Sequence, residues 1–183
     1  MTSKKQFPNI IICGTSGVGK SRFCQQLCSM NSVLKHININ DLAKQHKFLL
    51  EYDEENQCDI LNDDAINDYF DHEYVQKSLS SGLIIDYHSA GIISDNNQIH
   101  AIFVLRCTCD KLMDRLNSRN YSKDKLEQII QSEAFHLCLT EAREAFDEAI
   151  VHELNNVTED DLKNNLEFIL KWIDQWPFNN TMD

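Results

Sequence analysis

Gly14-Thr15-Ser16-Gly17-Val18-Gly19-Lys20-Ser21 decides how this chain is read. The stretch fills the pattern G-x-x-x-x-G-K-[ST] at every position. Glycines admit positive φ, so successive backbone N–H groups can curl around a phosphate. A helix opening near Gly19 adds the positive end of its dipole. In such a loop the Lys20 ammonium reaches the β- and γ-phosphates and the Ser21 hydroxyl ligates Mg²⁺. The bland alternative is a decorative Gly-rich turn, and the flanks argue against it. Apolar Asn9–Cys13 precedes the loop and suits a buried parallel strand, while a helical pattern runs on to about Met30.

Outward from the loop, strand and helix patterns alternate. Lys35–Asn38, Leu83–Asp86, Ala101–Leu105 and Ile150–Leu154 read as further strands. Helices are predicted over Asp41–Leu49, Asp63–Ser80, Cys109–Asn117, Lys125–Glu148 and Thr158–Trp176, with Asn62 or Asp63 as an N-cap and Pro177 as a stop. Alternation of this kind means an α/β fold with a parallel sheet and right-handed crossovers. The 183 residues favour one domain, 1–183, with no repeat or low-complexity linker to divide it.

Charge narrows the partners. Seventeen Lys+Arg against 29 Asp+Glu give a net charge of −12, which repels phosphate backbones, so no direct DNA binding is expected. No apolar run is long enough for a membrane span, and Met1 to Gln6 lacks the apolar stretch of a signal peptide. Residues 51–73 carry ten Asp/Glu and no Lys or Arg. That block reads either as a solvated face or as a docking face for a cationic partner. The seven Cys lack zinc-site spacing and read as small buried hydrophobes in a reducing compartment.

A phosphate site needs more charge than one loop carries. Asp86 ends an apolar strand, which places it at the same crevice as the loop, where it can hold Mg²⁺ through water. The alternative is a cap after the strand. His88 follows two residues on, either poising water or an acceptor or serving as a hydrogen-bonded structural ring. Only five Arg are present, and Arg115 and Arg119 lie four apart on one helix. Either could meet the moving charge in phosphoryl transfer, against the alternative of a surface ion pair. Rival classes lose ground. There is no N-K-x-D guanine motif, no G-x-G-x-x-G dinucleotide loop and no protein-kinase catalytic loop.

Further stretches carry a family resemblance. They include Asn38-Ile39-Asn40-Asp41-Leu42-Ala43, Tyr52-Asp53-Glu54-Glu55, Cys58-Asp59-Ile60-Leu61, Ile85-Asp86-Tyr87-His88, Arg115-Leu116-x-x-Arg119-x-Tyr121 and Leu170-Lys171-Trp172-Ile173. In this order, and with the phosphate loop, the chain resembles the adenylate kinase isoenzyme 6 family, the coilin-interacting nuclear ATPases, over nearly its whole length. The resemblance implies the nucleoside monophosphate kinase fold, a five-stranded parallel sheet flanked by helices. It implies an AMP-closing segment at about 38–61 and a lid at about 118–128. It implies adenylate kinase activity, ATP + AMP to 2 ADP, together with ATP hydrolysis and a Mg²⁺ requirement. It implies a role in small ribosomal subunit (18S rRNA) maturation with a basic small-subunit ribosomal protein as partner, in nucleus and cytoplasm.

Residue by residue, the resemblance assigns Gly14, Gly17, Val18, Gly19, Lys20, Ser21 and Arg22 to the ATP phosphates, and Arg119 to the lid's contact with ATP. Lys20, Asp86, His88 and Arg119 are the implied catalytic set, with Ser21 and Asp86 for the metal. Asp41 and Lys44 fall on the AMP side. The chain departs from the pattern at Lys44, where the family commonly has Arg, and Lys cannot clamp a phosphate in bidentate fashion. It also has Asp86-Tyr87-His88-Ser89-Ala90 where general adenylate kinases carry an Arg for the AMP phosphate. A competing expectation keeps the ATP switch and drops most AMP kinase activity, leaving an assembly or docking factor.

Overall fold

The structure, a computed structural model, describes residues 6–76, 81–93 and 98–176. Five strands form one parallel sheet: β1 (Ile10–Cys13), β2 (Lys35–Asn38), β5 (Leu83–Asp86), β6 (Ala101–Arg106) and β7 (Val151–Asn155), in the order β2-β5-β1-β6-β7. β3 (Leu49–Asp53) and β4 (Cys58–Leu61) make a separate antiparallel hairpin. The helices are α1 (Lys20–Met30), α2 (Ile39–His46), α3 (Asp63–Phe70), α4 (Cys109–Leu116), α5 (Lys123–Ala134), α6 (Leu137–Ala145) and α7 (Glu159–Gln175).

Alternation along the central strands splits the core in two. Ile11, Cys13, Ile85, Ile102 and Val104 face one way, onto α2, α3 and α6. Ile10, Ile12, Ile84, Phe103 and Leu105 face the other way, onto α1, α4 and α7. The central strands are buried on both faces, which is why they read as unbroken apolar runs. Register pairs Asn38 with Asp86, and Ile12 with the same Asp86, so these carboxyl ends open onto one crevice.

Helix starts follow their capping chemistry. Asn62 accepts the Ala65 N–H at 3.0 Å, and Thr158 with Asp161 forms a reciprocal capping box at the start of α7. Three helix expectations are corrected. The helix expected over Asp41–Leu49 ends at His46, where Lys47 turns left-handed, and Leu49 already pairs with Leu61 in the hairpin. The pattern over Lys125–Glu148 is two helices, broken at Phe135 and His136, with His136 at φ 57. Its far end, Glu148–Ile150, is a separate single turn. α3 gives way to a wider π turn over Asp71–Gln76, and residues 77–80 and Pro177 lie outside the described residues.

Candidate functional site

The loop between β1 and α1 is built around atoms that leave no room for side chains. Gly14 has φ +134, and a Cβ there would sit 2.4 Å from the Leu105 carbonyl oxygen. Gly17 has φ +94 and lies against Leu112 and Leu116, where a Cβ would come within 2.8 Å. Alanine at either position must both adopt a left-handed backbone and displace packed atoms. The loop is held from three sides. Arg115 donates to the carbonyl of Val18 at 3.1 Å and to those of Asn156 and Val157 at 3.0 and 2.9 Å. The Asn156 amide donates to the Val18 carbonyl at 2.9 Å. The Thr15 hydroxyl donates to buried Glu133, whose other oxygen takes the Arg106 Nε–H at 2.7 Å.

This corrects the reading of Arg115 as a cation for the moving phosphoryl group. Among the described residues, its hydrogen bonds run to backbone carbonyls and to the Cys107 sulfur. It positions the loop and the start of the segment leading to α7.

A cleft of about 740 Å³ opens beside the loop. Its walls include Gly17, Gly19, Lys20, Ser21 and Arg22 on one side, with Asp86, His88 and Arg119 facing them. Gly14 and Val18 lie beneath, fully packed, and are not on the wall: the Gly14 carbonyl accepts the Lys20 ammonium at 2.7 Å, and Val18 serves the anchors just described. Lys44 lines the cleft and pairs with Asp59 at 3.4 Å. Asp41 does not line it. Its side chain is exposed on α2, its N–H is capped by Asn38 at 3.1 Å, and its neighbour Asn40 takes the wall position. Arg22, on the exposed rim, is held by Glu159 through two bonds of 2.6 and 2.7 Å.

The electrostatics separate the groups. Burial alone would raise the Asp86 pKa, but hydrogen bonds from His36, Ser21 and Asn38 outweigh it and hold the carboxyl below its ordinary value. Asn38 donates to Asp86 Oδ2 at 2.8 Å. Lys20 is pushed down by burial, while the Asp86 carboxylate opposes that shift. His88 is exposed to the cleft, yet the protein crowded around its ring, and then the Lys20 and Lys125 ammonium groups, press its pKa down to about 4. The imidazole is therefore neutral near pH 7. Arg119 lies across the mouth, 3.4 Å from the Ser16 hydroxyl and 3.3 Å from the Tyr121 hydroxyl.

The donor set suits a hard divalent ion. Ser21 and Asp86 present a hydroxyl and a carboxylate beside a cradle of backbone N–H groups, which is oxygen chemistry of the kind Mg²⁺ takes. Sequence reasoning did not find Gln57, Tyr121, Lys125 or Asn40 on this cleft. Tyr121 and Lys125 lie within the expected lid, so their placement follows from that segment. Gln57 had no signal: it reaches the cleft only because the β3–β4 turn puts it there, where it accepts the Ser122 N–H at 2.9 Å.

Fold and cleft together define a phosphate-loop protein of the nucleotide-binding kinase type. A family model described as an AAA domain matches residues 10–136. The chain belongs to the adenylate kinase isoenzyme 6 family. It is 36% identical to the adenylate kinase isoenzyme 6 homolog of Schizosaccharomyces pombe, covering 97% of this chain and 98% of that protein. The homologs of Dictyostelium discoideum and Caenorhabditis elegans are 34% and 32% identical, each over 96% of this chain and over 97% and 94% of their own lengths. Among solved structures, an uncharacterized protein from Eubacterium ventriosum superposes with a TM-score of 0.57 at 16% identity, covering 93% of this chain and 99% of that one. Shikimate kinase from Bacteroides thetaiotaomicron gives 0.54 at 12% identity, over 92% and 99%. These two share the fold. No helix among the described residues is long and apolar enough to cross a membrane.

Proposed function

We propose that this chain transfers the γ-phosphoryl group of Mg·ATP to AMP, giving two ADP, and to water when no acceptor is seated. The observation that carries this is the meeting of Lys20, Asp86, His88 and Arg119 on one cleft whose floor is a glycine cradle. An oxygen of the AMP phosphate attacks the γ-phosphorus, and the bond to the β–γ bridging oxygen breaks, leaving ADP. Lys20 and Arg119 neutralise the charge that spreads over the transferring oxygens. His88, neutral at pH 7, accepts a hydrogen bond from an attacking water or donates its ring N–H to an oxygen of the acceptor phosphate. Ser21 and Asp86 would hold Mg²⁺, which neutralises phosphate charge when bound. The segments 38–61 and 118–128 close over the reactants and exclude water, as the Gln57–Ser122 contact between them suggests.

The test is ADP formation from Mg·ATP with and without AMP, in wild type and Lys20→Ala. Stimulation by AMP that vanishes in the variant supports the kinase. Slow ATP loss, indifferent to AMP but absent in the variant, moves the weight to the second reading, an ATP-switched assembly factor. One observation favours that alternative. The acidic side chains of 51–73 are mostly exposed on the hairpin and α3, facing solvent as a face for a basic protein. The partner proposed is a basic small-subunit ribosomal protein, the process 18S rRNA maturation, and the setting nucleus and cytoplasm. Reversing the charge of that face without losing the partner would remove this second reading.

A further inference from the structure

One group of side chains is left over by phosphate transfer. Cys24 on α1, His36 on β2 and Asp86 at the end of β5 come from three separate elements. Each offers one ligand atom, the sulfur, a ring nitrogen and a carboxylate oxygen, and all three atoms lie within 4.8 Å of one another. Cys24 and Asp86 are almost wholly buried and His36 is partly so. His36 helps hold Asp86 ionised, but nothing in nucleotide chemistry asks for a thiol beside that pair.

We propose that Cys24, His36 and Asp86 form a binding site for a thiophilic divalent cation of the Zn²⁺ kind. Thiolate, imidazole and carboxylate are the ligands Zn²⁺ takes, and Mg²⁺ does not take the first. Zn–ligand lengths of about 2.0–2.3 Å put the corners of a tetrahedron about 3.3–3.8 Å apart. His36 Nε2 already stands 3.2 Å from Asp86 Oδ2. The sulfur therefore has a short distance to close, by a rotation or a small shift of α1. Three protein ligands leave a fourth position for water, which makes an exchangeable site rather than a closed structural one. On binding, the Cys24 thiol loses its proton to solvent and becomes the ligand thiolate.

The site has a consequence for the cleft. Asp86 is shared between the two ions, and a carboxylate that ligates Zn²⁺ directly is withdrawn from the water shell of Mg²⁺. The occupied site therefore opposes Mg·ATP turnover. That consequence rests on the proposed phosphoryl transfer, whereas the binding site itself does not.

The test is titration of the full chain with Co²⁺ as a spectroscopic stand-in, followed by Zn²⁺ competition against a chromophoric chelator. Wild type should show a sulfur-to-Co²⁺ charge-transfer absorption at one equivalent. Cys24→Ser should lose it and bind Zn²⁺ at least about 10–100-fold more weakly, since losing only a ligand's outer-shell partner already costs that much. His36→Gln gives the same direction with the sulfur intact. Cys28→Ser, one helical turn away, should keep both signals. An absorption that persists in Cys24→Ser, or its absence from wild type, overturns the proposal. Zn²⁺ should also slow ADP formation in wild type and not in Cys24→Ser. A chain that binds Co²⁺ through Cys24 yet forms no ADP would overturn the kinase reading and leave the site standing.

Discussion

The phosphate loop and the β3–β4 hairpin face each other across one cleft and are built in opposite ways. The loop is clasped by Arg115, Asn156 and Glu133, side chains that lie 41 to 138 positions from their partners or from the loop. The hairpin is two short strands, mostly exposed, pairing with each other and not with the main sheet. Leu61 packs into the core at its base, and among the described residues two polar side-chain contacts tie the rest to its surroundings, Lys44 to Asp59 and Gln57 to Ser122. A surface ion pair and one neutral bond together hold little free energy. The difference teaches where rigidity is needed: the atoms that cradle a phosphate are fixed before ligand arrives, and the segment opposite is held far more lightly.

The largest effect expected is on chemistry. Lys20→Ala should lower ADP formation by about 100- to 1,000-fold, the loss typical of removing one preorganised charge donor. Its melting temperature should barely fall, because burial already opposes the charged ammonium. A comparable loss from Gln57→Ala would erase the distinction between loop and hairpin.

Arg115→Ala tests the clasp. Three hydrogen bonds to backbone carbonyls are lost, with Val18 keeping only Asn156, at a cost of about 2 kcal/mol. In a chain of this size that corresponds to a melting point about 4–8 °C lower. ATP affinity should fall with it, since the Val18 carbonyl sits under the cradle. Unchanged thermal unfolding together with unchanged ATP binding would show that the loop stands without Arg115. On the other side, Gln57→Ala should move the melting point by no more than about 1 °C. It should raise the KM for AMP about twofold to fivefold, the value of one neutral hydrogen bond.

These two variants also mark what sequence could and could not show. The strands were legible because a strand buried on both faces is written as a plain apolar run, as in Ile10-Ile11-Ile12-Cys13. Lys20, Asp86 and His88 were legible as candidates because a motif and a strand end place them, and Arg119 because Arg is scarce and the family resemblance assigns it to the lid. Arg115 read as a reactive cation because its true partners lie far along the chain, and no local pattern records a carbonyl at position 156. The hairpin was hidden by its polar and acidic composition, which reads as loop or helix face. The break at His136 had neither Gly nor Pro to announce it. There Glu133, held by Arg106 and Cys107, fixes the end of α5, and His136 takes the left-handed turn that follows.

The smallest effect is a titration. His88, on the cleft wall, should stay neutral down to about pH 4 when followed by its ring resonances, assigned by their loss in His88→Gln. The sign follows from linkage. The folded ring binds its proton less tightly than the unfolded one, whose value is about 6.5. Stability therefore declines as pH falls from about 6.5 toward 4, and His88→Gln should flatten that decline. A ring that titrates near 6.5 would mean the cleft is far more open around His88 than the crowded walls described above.

The Val18 carbonyl receives Asn156, 138 positions downstream. A ribosome releases the Val18 side of this clasp 138 residues ahead of the Asn156 side. A nascent chain that stops before β7 already carries Arg115 and Glu133 but lacks Asn156 on the Val18 carbonyl, and Arg115 lacks two of its anchor points. The cradle is therefore complete only once β7 has joined the sheet, and nucleotide acts as a ligand of the finished fold rather than as a guide to it.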